Sequence, residues 1–110
     1  MNVWTTELRR GVVELCVLAV LCKEEGYGYE IIERLKSAAG LELTESTIYP
    51  LLARLTRDKL LTVRVAPSPS GPSRRYYQLT AAGQNRLSQM NEHWNNLTTS
   101  VSRLLKGDST

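Results

Sequence analysis

Between Leu87 and Leu104 the chain sets an apolar residue at Leu87, Met90, Trp94, Leu97, Val101 and Leu104. The gaps alternate between three and four residues without a break. That is the heptad seam of a helix packing along its length on another helix. With Thr80 as its N-cap, the helix covers roughly 81–106, about 39 Å at 1.5 Å per residue. Gly83 near its start costs about 1 kcal/mol relative to alanine and does not prevent it. A chain of 110 residues has limited means of covering so long a helix. Either part of the seam is exposed, or a second copy of the chain covers it, unless the helix folds back along the domain's own first helix.

Three shorter helices precede it. The first is expected from about Thr6 to Lys23, capped by Thr5 or Thr6, with Leu8, Val12, Leu15, Ala19 and Cys22 along one stripe. Val13, Val17, Leu18 and Leu21 widen that stripe, so the helix should be central. Gly26 ends it with the freedom to take positive φ. A second helix runs from about Gly28 to Ala39, with Ile31, Ile32 and Leu35 inward, and Gly40 closes it. Thr44 is a good N-cap for the third. Its buried set is Ile48, Leu51, Leu52 and Leu55, and its other face carries Ser46, Thr47, Tyr49, Ala53, Arg54 and Arg57. Pro50 removes a backbone hydrogen bond from a helix begun at Glu45 and would conflict less with a start near Ile48. Both starts remain open.

Residues 61–66 alternate and are β-branched, as a strand requires. The stretch 67–73 is rich in Pro, Ser and Gly and reads as a flexible tip, and 74–79 returns as a second strand. One of Tyr76 and Tyr77 should enter the core, because strand neighbours face opposite ways. The net charge is only +3, but its distribution is uneven. Arg54, Arg57, Lys59, Arg64, Arg74 and Arg75 face only Glu45 and Asp58 between Leu43 and Thr80. A helix with a short-polar and cationic face beside an arginine-bearing hairpin suits a DNA groove and its flanking backbone.

Other functions have little support. There is no CxxC pair and His93 is the sole histidine, which argues against a Cys/His metal site. Cys16 and Cys22 are expected to pack in the core as free thiols. No nucleophile–base pair, glycine-rich phosphate loop or cofactor motif suggests an enzyme. The N-terminal region lacks a signal-peptide pattern and its apolar stretch is too short to span a bilayer, so a cytoplasmic protein is expected.

Four ordered motifs add a resemblance. They are Leu8-Arg9-Arg10-Gly11, Tyr27-Gly28-Tyr29-Glu30, Thr47-Ile48-Tyr49-Pro50-Leu51-Leu52, and Arg75-Tyr76-Tyr77-Gln78-Leu79-Thr80-Ala81-Ala82-Gly83. Over about residues 8–105 the chain resembles the PadR family of transcriptional regulators in its short form. One departure is Asp58-Lys59-Leu60, where the family usually has Asp-Gly-Leu. If that position needs positive φ, lysine costs about 1 kcal/mol there.

The resemblance implies a mainly α (α+β) fold. It would be a winged helix-turn-helix over 1–80, with the wing at about 61–79, a dimerisation helix over 81–106 and a disordered tail at 107–110. It implies a repressor acting as a homodimer on a palindromic operator in double-stranded DNA and released by a small aromatic effector. DNA contacts would come from Thr44, Ser46, Thr47, Tyr49, Arg54 and Arg57 on the third helix and from Ser73, Arg74 and Arg75 on the wing. Leu8, Val12, Leu87, Met90, Trp94, Leu97, Val101 and Leu104 would form the dimer interface. Trp94, Met90 and Leu97 would meet the effector. No cofactor or metal is implied. The competing reading is a winged-helix interaction adaptor without specific DNA binding.

Overall fold

The computed structural model describes residues 3–107, so most of the tail expected at 107–110 lies outside the described residues. In chain order it contains α1 (Val3–Arg10), α2 (Val13–Lys23), α3 (Gly28–Ala39), α4 (Glu45–Arg57), β1 (Leu61–Ser68), β2 (Gly71–Leu79) and α5 (Ala81–Leu105). It is mainly helical with one two-stranded antiparallel sheet. Among the described residues no helix is long and apolar enough to cross a membrane.

The first expected helix is in fact two. The chain turns at Gly11 and Val12, and α1 contributes no buried residue to the core. Glycine lowers the cost of leaving the helix there, and among the described residues Leu8 is left 73% exposed. The inward stripe of α2 is also corrected. Val17, Leu18 and Leu21 are buried, whereas Ala19 and Cys22 are exposed. Cys22 is therefore not a core thiol. Cys16 is half-buried, and burial raises its pKa.

The α2 core residues meet Ile31 and Leu35 of α3, Ile48, Leu52 and Leu55 of α4, and Leu60, Leu61 and Tyr77 of the hairpin region. Between α3 and α4, Gly40 takes φ 66° and its N–H donates to Lys36 O, while Leu41 N–H donates to Leu35 O. This left-handed stop ends α3 and turns the chain toward α4. The α4 helix begins at Glu45 despite Pro50. Proline forfeits one bond in the second turn, and burial of Ile48, Leu52 and Leu55 outweighs it.

Gly26 does not take positive φ. It is extended and bridges Tyr77, with Gly26 N–H donating to Tyr77 O at 3.1 Å and Tyr77 N–H to Gly26 O at 2.8 Å. A one-residue third strand thus fastens the hairpin to the α2–α3 connection. The hairpin pairs from Leu61↔Leu79 to Ser68↔Gly71, with a register shift beside Pro67. The expected loose tip is accordingly a tight turn at Pro69 and Ser70, and Ser73 lies within β2.

At the far end of the wing, Thr80 ties three segments together. Its N–H donates to Leu60 O at 3.1 Å and its hydroxyl to Lys59 O at 2.7 Å. The same hydroxyl accepts from Gly83 N–H at 3.0 Å, capping α5. The α5 helix then runs out past the body, and the molecule measures 56 Å along its longest axis.

Candidate nucleic-acid interface

The outer face of α4 is polar and open. Thr44, Ser46, Thr47, Tyr49, Ala53 and Arg57 are all exposed. Thr44 occupies the N-cap position in extended conformation, but its hydroxyl pairs with Ser46 Oγ at 2.8 Å instead of with a backbone N–H. Thr47 Oγ1 lies 3.4 Å from the same oxygen. The first turn of α4 thus presents a patch of three hydroxyls, each able to donate or accept.

Arg54 is placed differently from its neighbours. Its Nη2 donates to Glu14 Oε1 at 2.7 Å, and Asp58 lies 3.8 Å away. The Glu14 hydrogen bond raises the pKa of Arg54, outweighing its partial burial, and the charges of Glu14 and Asp58 add to that. Glu14 Oε2 also takes Arg86 of α5 at 3.5 Å. One carboxylate of α2 therefore joins α4 to α5, and Arg54 is engaged within the protein.

The wing carries a stack of cations and rings. Arg64 of β1 lies over Tyr76 at 4.7 Å, and Tyr76 meets Tyr27 edge-on at 5.5 Å and 76°. Arg74 lies over Tyr27 at 4.4 Å. The register explains the grouping. Arg64 stands opposite Tyr76 and Arg74 is two residues from it, so all share one face. Arg64 also forms an ion pair with Glu25. The hydrogen bond from Arg64 holds the Glu25 carboxyl below its ordinary pKa, and the charge of Arg64 adds to this. Arg34 donates to the carbonyls of Glu24 and Glu25, fixing the connection that the wing rests on.

Arg75 faces the other way, on the side of Tyr77, and is exposed, while Tyr77 is the core member of the tyrosine pair. Between α4 and the wing lies a slot of about 500 Å³ walled by Gly28, Tyr49, Ser73, Arg74, Arg75 and Tyr77 among others. Arg64 is among the cations already expected on this segment, whereas Gly28, Tyr27, Tyr76 and Glu25 join this face without having been expected there. Strand alternation could have grouped Arg64 with Tyr76, but the involvement of Glu25 and Tyr27 depends on where the wing folds.

The α5 seam is divided. Leu87 and Met90 are half-buried against the core. Trp94, Leu97, Val101 and Leu104 are 40%, 56%, 42% and 76% exposed. Val3, Trp4 and Leu8 of α1 are exposed as well, and Val12 is half-buried. Met90 also lines a cleft of about 710 Å³ between α1, α2 and α4.

The sequence of residues 17–89 matches the model of the transcriptional regulator PadR-like family. The chain belongs to the PadR-like family. A PadR-like transcription factor of Bacteroides fragilis is similar at 37% identity, with 94% of this chain and 99% of that one aligned and a TM-score of 0.77. A PadR-like regulator of Bacillus cereus aligns at 35% identity over 90% of this chain and 96% of its own, with a TM-score of 0.80. A PadR family regulator of Eggerthella lenta gives 33% identity, 93% and 88% coverage, and a TM-score of 0.84. PadR-like proteins are DNA-binding transcriptional regulators, not enzymes, and the winged helix with its long C-terminal helix is their fold. Among the described residues no group of three His, Cys, Asp or Glu side chains could hold a metal. The departure from the PadR pattern at Lys59 has a clear geometry: Lys59 has φ 64°, the conformation in which glycine is the easy residue.

Proposed function

We propose that the protein is a homodimeric repressor that reads a palindromic operator and releases it on binding a planar aromatic molecule. The observation that carries this reading is the seam of α5. Its gaps of three, four, three, four and three read the same from either end. An antiparallel copy therefore sets Leu87 against the partner's Leu104, Met90 against the partner's Val101 and Trp94 against the partner's Leu97. The exposed outer half of one helix covers the half-buried inner half of the other, as an isologous two-fold interface requires. The exposed apolar side chains of α1 supply further surface for the same contact. A two-fold protein with one reading head per copy calls for a two-fold operator.

Each α4 would enter the major groove with Ser46 and Thr47 at base edges and Arg57 on the backbone, and each wing would bring Ser73, Arg74 and Arg75 to neighbouring phosphates. Trp94 and Leu97 would flank the two-fold axis with Met90 beside them, and a flat aromatic ring could stack there. The test is an electrophoretic shift with the chain's own promoter region. Specific binding that is lost in the double variant Arg74→Ala/Arg75→Ala, with a dimer mass in sedimentation, supports the reading. Binding no tighter than to random duplex overturns it. Quenching of tryptophan fluorescence by planar aromatics that vanishes in Trp94→Leu tests the effector.

A further inference from the structure

We infer that the cleft between α1, α2 and α4 binds an amphipathic carboxylate, with the apolar body on Leu43, Leu51 and Met90 and the carboxylate on Arg54 and Arg10. The site shares Met90 but not Trp94 with the one proposed above, and it is formed within a single copy of the chain. Only its effect on operator binding rests on the DNA reading. The cleft has a volume of about 710 Å³. Small-molecule sites span roughly 300–1,000 Å³. Leu41 on its floor is buried, and Val13, Leu43, Leu51 and Met90 are half-buried against the core. Such a floor favours a hydrocarbon body over water.

The rim sets the sign of the occupant. Arg9, Arg10 and Arg54 line the cleft against Glu14 and Glu42, and Glu14 is already shared between Arg54 and Arg86. Arg54 is the side chain best prepared for an anion. Glu14 holds its Nη2 at 2.7 Å, while Asp58 at 3.8 Å is beyond hydrogen-bond distance. A guanidinium has five N–H donors, so Arg54 keeps donors for a carboxylate in a pose that Glu14 has fixed. Arg10 pairs with Glu7 at 3.0 Å, one turn away on the same helix, and both side chains are mostly exposed. A pair so screened is readily exchanged for a ligand. Arg10 also sits on an element that can approach. No residue of α1 is buried, and a Cβ at Gly11, in the joint to α2, would meet nothing within 4 Å. The α1 helix is therefore a flap whose Thr6, Arg9 and Arg10 line the cleft, able to close over an occupant. Thr44 and Thr47 of the α4 hydroxyl patch line the same cleft. An anion bound there adds negative charge beside that patch and opposes the approach of phosphate.

The test uses the full chain, with decanoate as the probe and decanol as its neutral counterpart. Trp4 and Trp94 are the two tryptophans, so Trp94→Phe leaves Trp4 of α1 as the reporter of the flap. Decanoate should change the Trp4 emission saturably. Decanol should bind about tenfold more weakly, as for a lost hydrogen bond to a charged group. Arg54→Ala, checked by melting to be folded, should erase that preference. Saturating decanoate should also lower the operator affinity of the wild type about tenfold, and leave that of Arg54→Ala unchanged. If decanol binds as well as decanoate, or the preference survives Arg54→Ala, the site is wrong. If decanoate is preferred but operator affinity does not move, the coupling to α4 is wrong. A wild type that does not prefer its operator sinks the DNA reading, while the fluorescence titration still decides the site.

Discussion

Glu14 of α2 accepts a 2.7 Å hydrogen bond from Arg54 of α4 and, through its second oxygen, takes Arg86 of α5. Glu14 is mostly covered while both arginines remain roughly half-exposed. Solvent therefore screens the pair, and its stabilising effect should be about 1 kcal/mol or less. Its larger consequence is positional, because it links α4 to α5. Arg54→Ala should leave the salt slope of DNA binding unchanged, whereas Arg57→Ala should lower it by about 1 per protomer. Equal slopes for the two variants in a salt titration would mean that Arg54 leaves Glu14 for a phosphate.

Gly83 illustrates a close approach. A Cβ there would stand 2.2 Å from the carbonyl oxygen of Leu60, and that carbonyl is held by Thr80 N–H. Neither group can yield cheaply. Gly83→Ala should cost about 1–3 kcal/mol despite alanine's better helix propensity. Urea denaturation would measure it, and an unchanged midpoint would show that the α5 start can shift.

Lys59 sits at φ 64° directly after α4. Lys59→Gly should stabilise the fold by about 1 kcal/mol, since it relieves a left-handed conformation that L side chains resist. The same denaturation assay reads it. Operator titration of this variant would show whether the lysine cation compensates by touching DNA.

Leu97 is 56% exposed in the middle of the bare stretch of α5. Leu97→Asp should give a monomer in sedimentation equilibrium, because pairing would bury an unpaired carboxylate. The monomer should also lose specific operator binding, since each copy takes only one half-site. A dimer that survives the substitution would place the interface elsewhere.

The Glu25–Arg64 pair predicts how acid acts on the wing. The Glu25 pKa is lower folded than unfolded. Its contribution is therefore present above the unfolded carboxylate value, about 4.3, and disappears as pH falls through the lower folded value. Amide exchange at Gly26 and Tyr77, the residues that fasten the wing, should accelerate over that window. Glu25→Gln should remove the pH dependence.

Much of the fold follows from local rules that need no knowledge of distant neighbours. Helix period, the Thr44 and Thr80 caps, Gly40 and the strand alternation are all short-range, and each marks an element that the structure contains. The mirrored gaps of the α5 seam are likewise present in the chain itself. The α1–α2 break could not be predicted this way, because the apolar stripe continues smoothly through Gly11. Its inward side depends on what the domain can cover, and among the described residues Leu8 is left exposed. The glycine of the Tyr27-Gly28-Tyr29-Glu30 motif is visible in the sequence, but its reason is Tyr49, twenty-one residues away. Arg54 and Arg57 are both cations on the polar side of one helix, and only the approach of Glu14 separates them. Apart from the α1–α2 break, periodicity in the sequence thus determined the elements, their order and the polar face of α4. Tertiary packing decided which cations are engaged, which thiol is covered and which tyrosine stands in the slot, because those outcomes turn on contacts across the fold that no local pattern encodes.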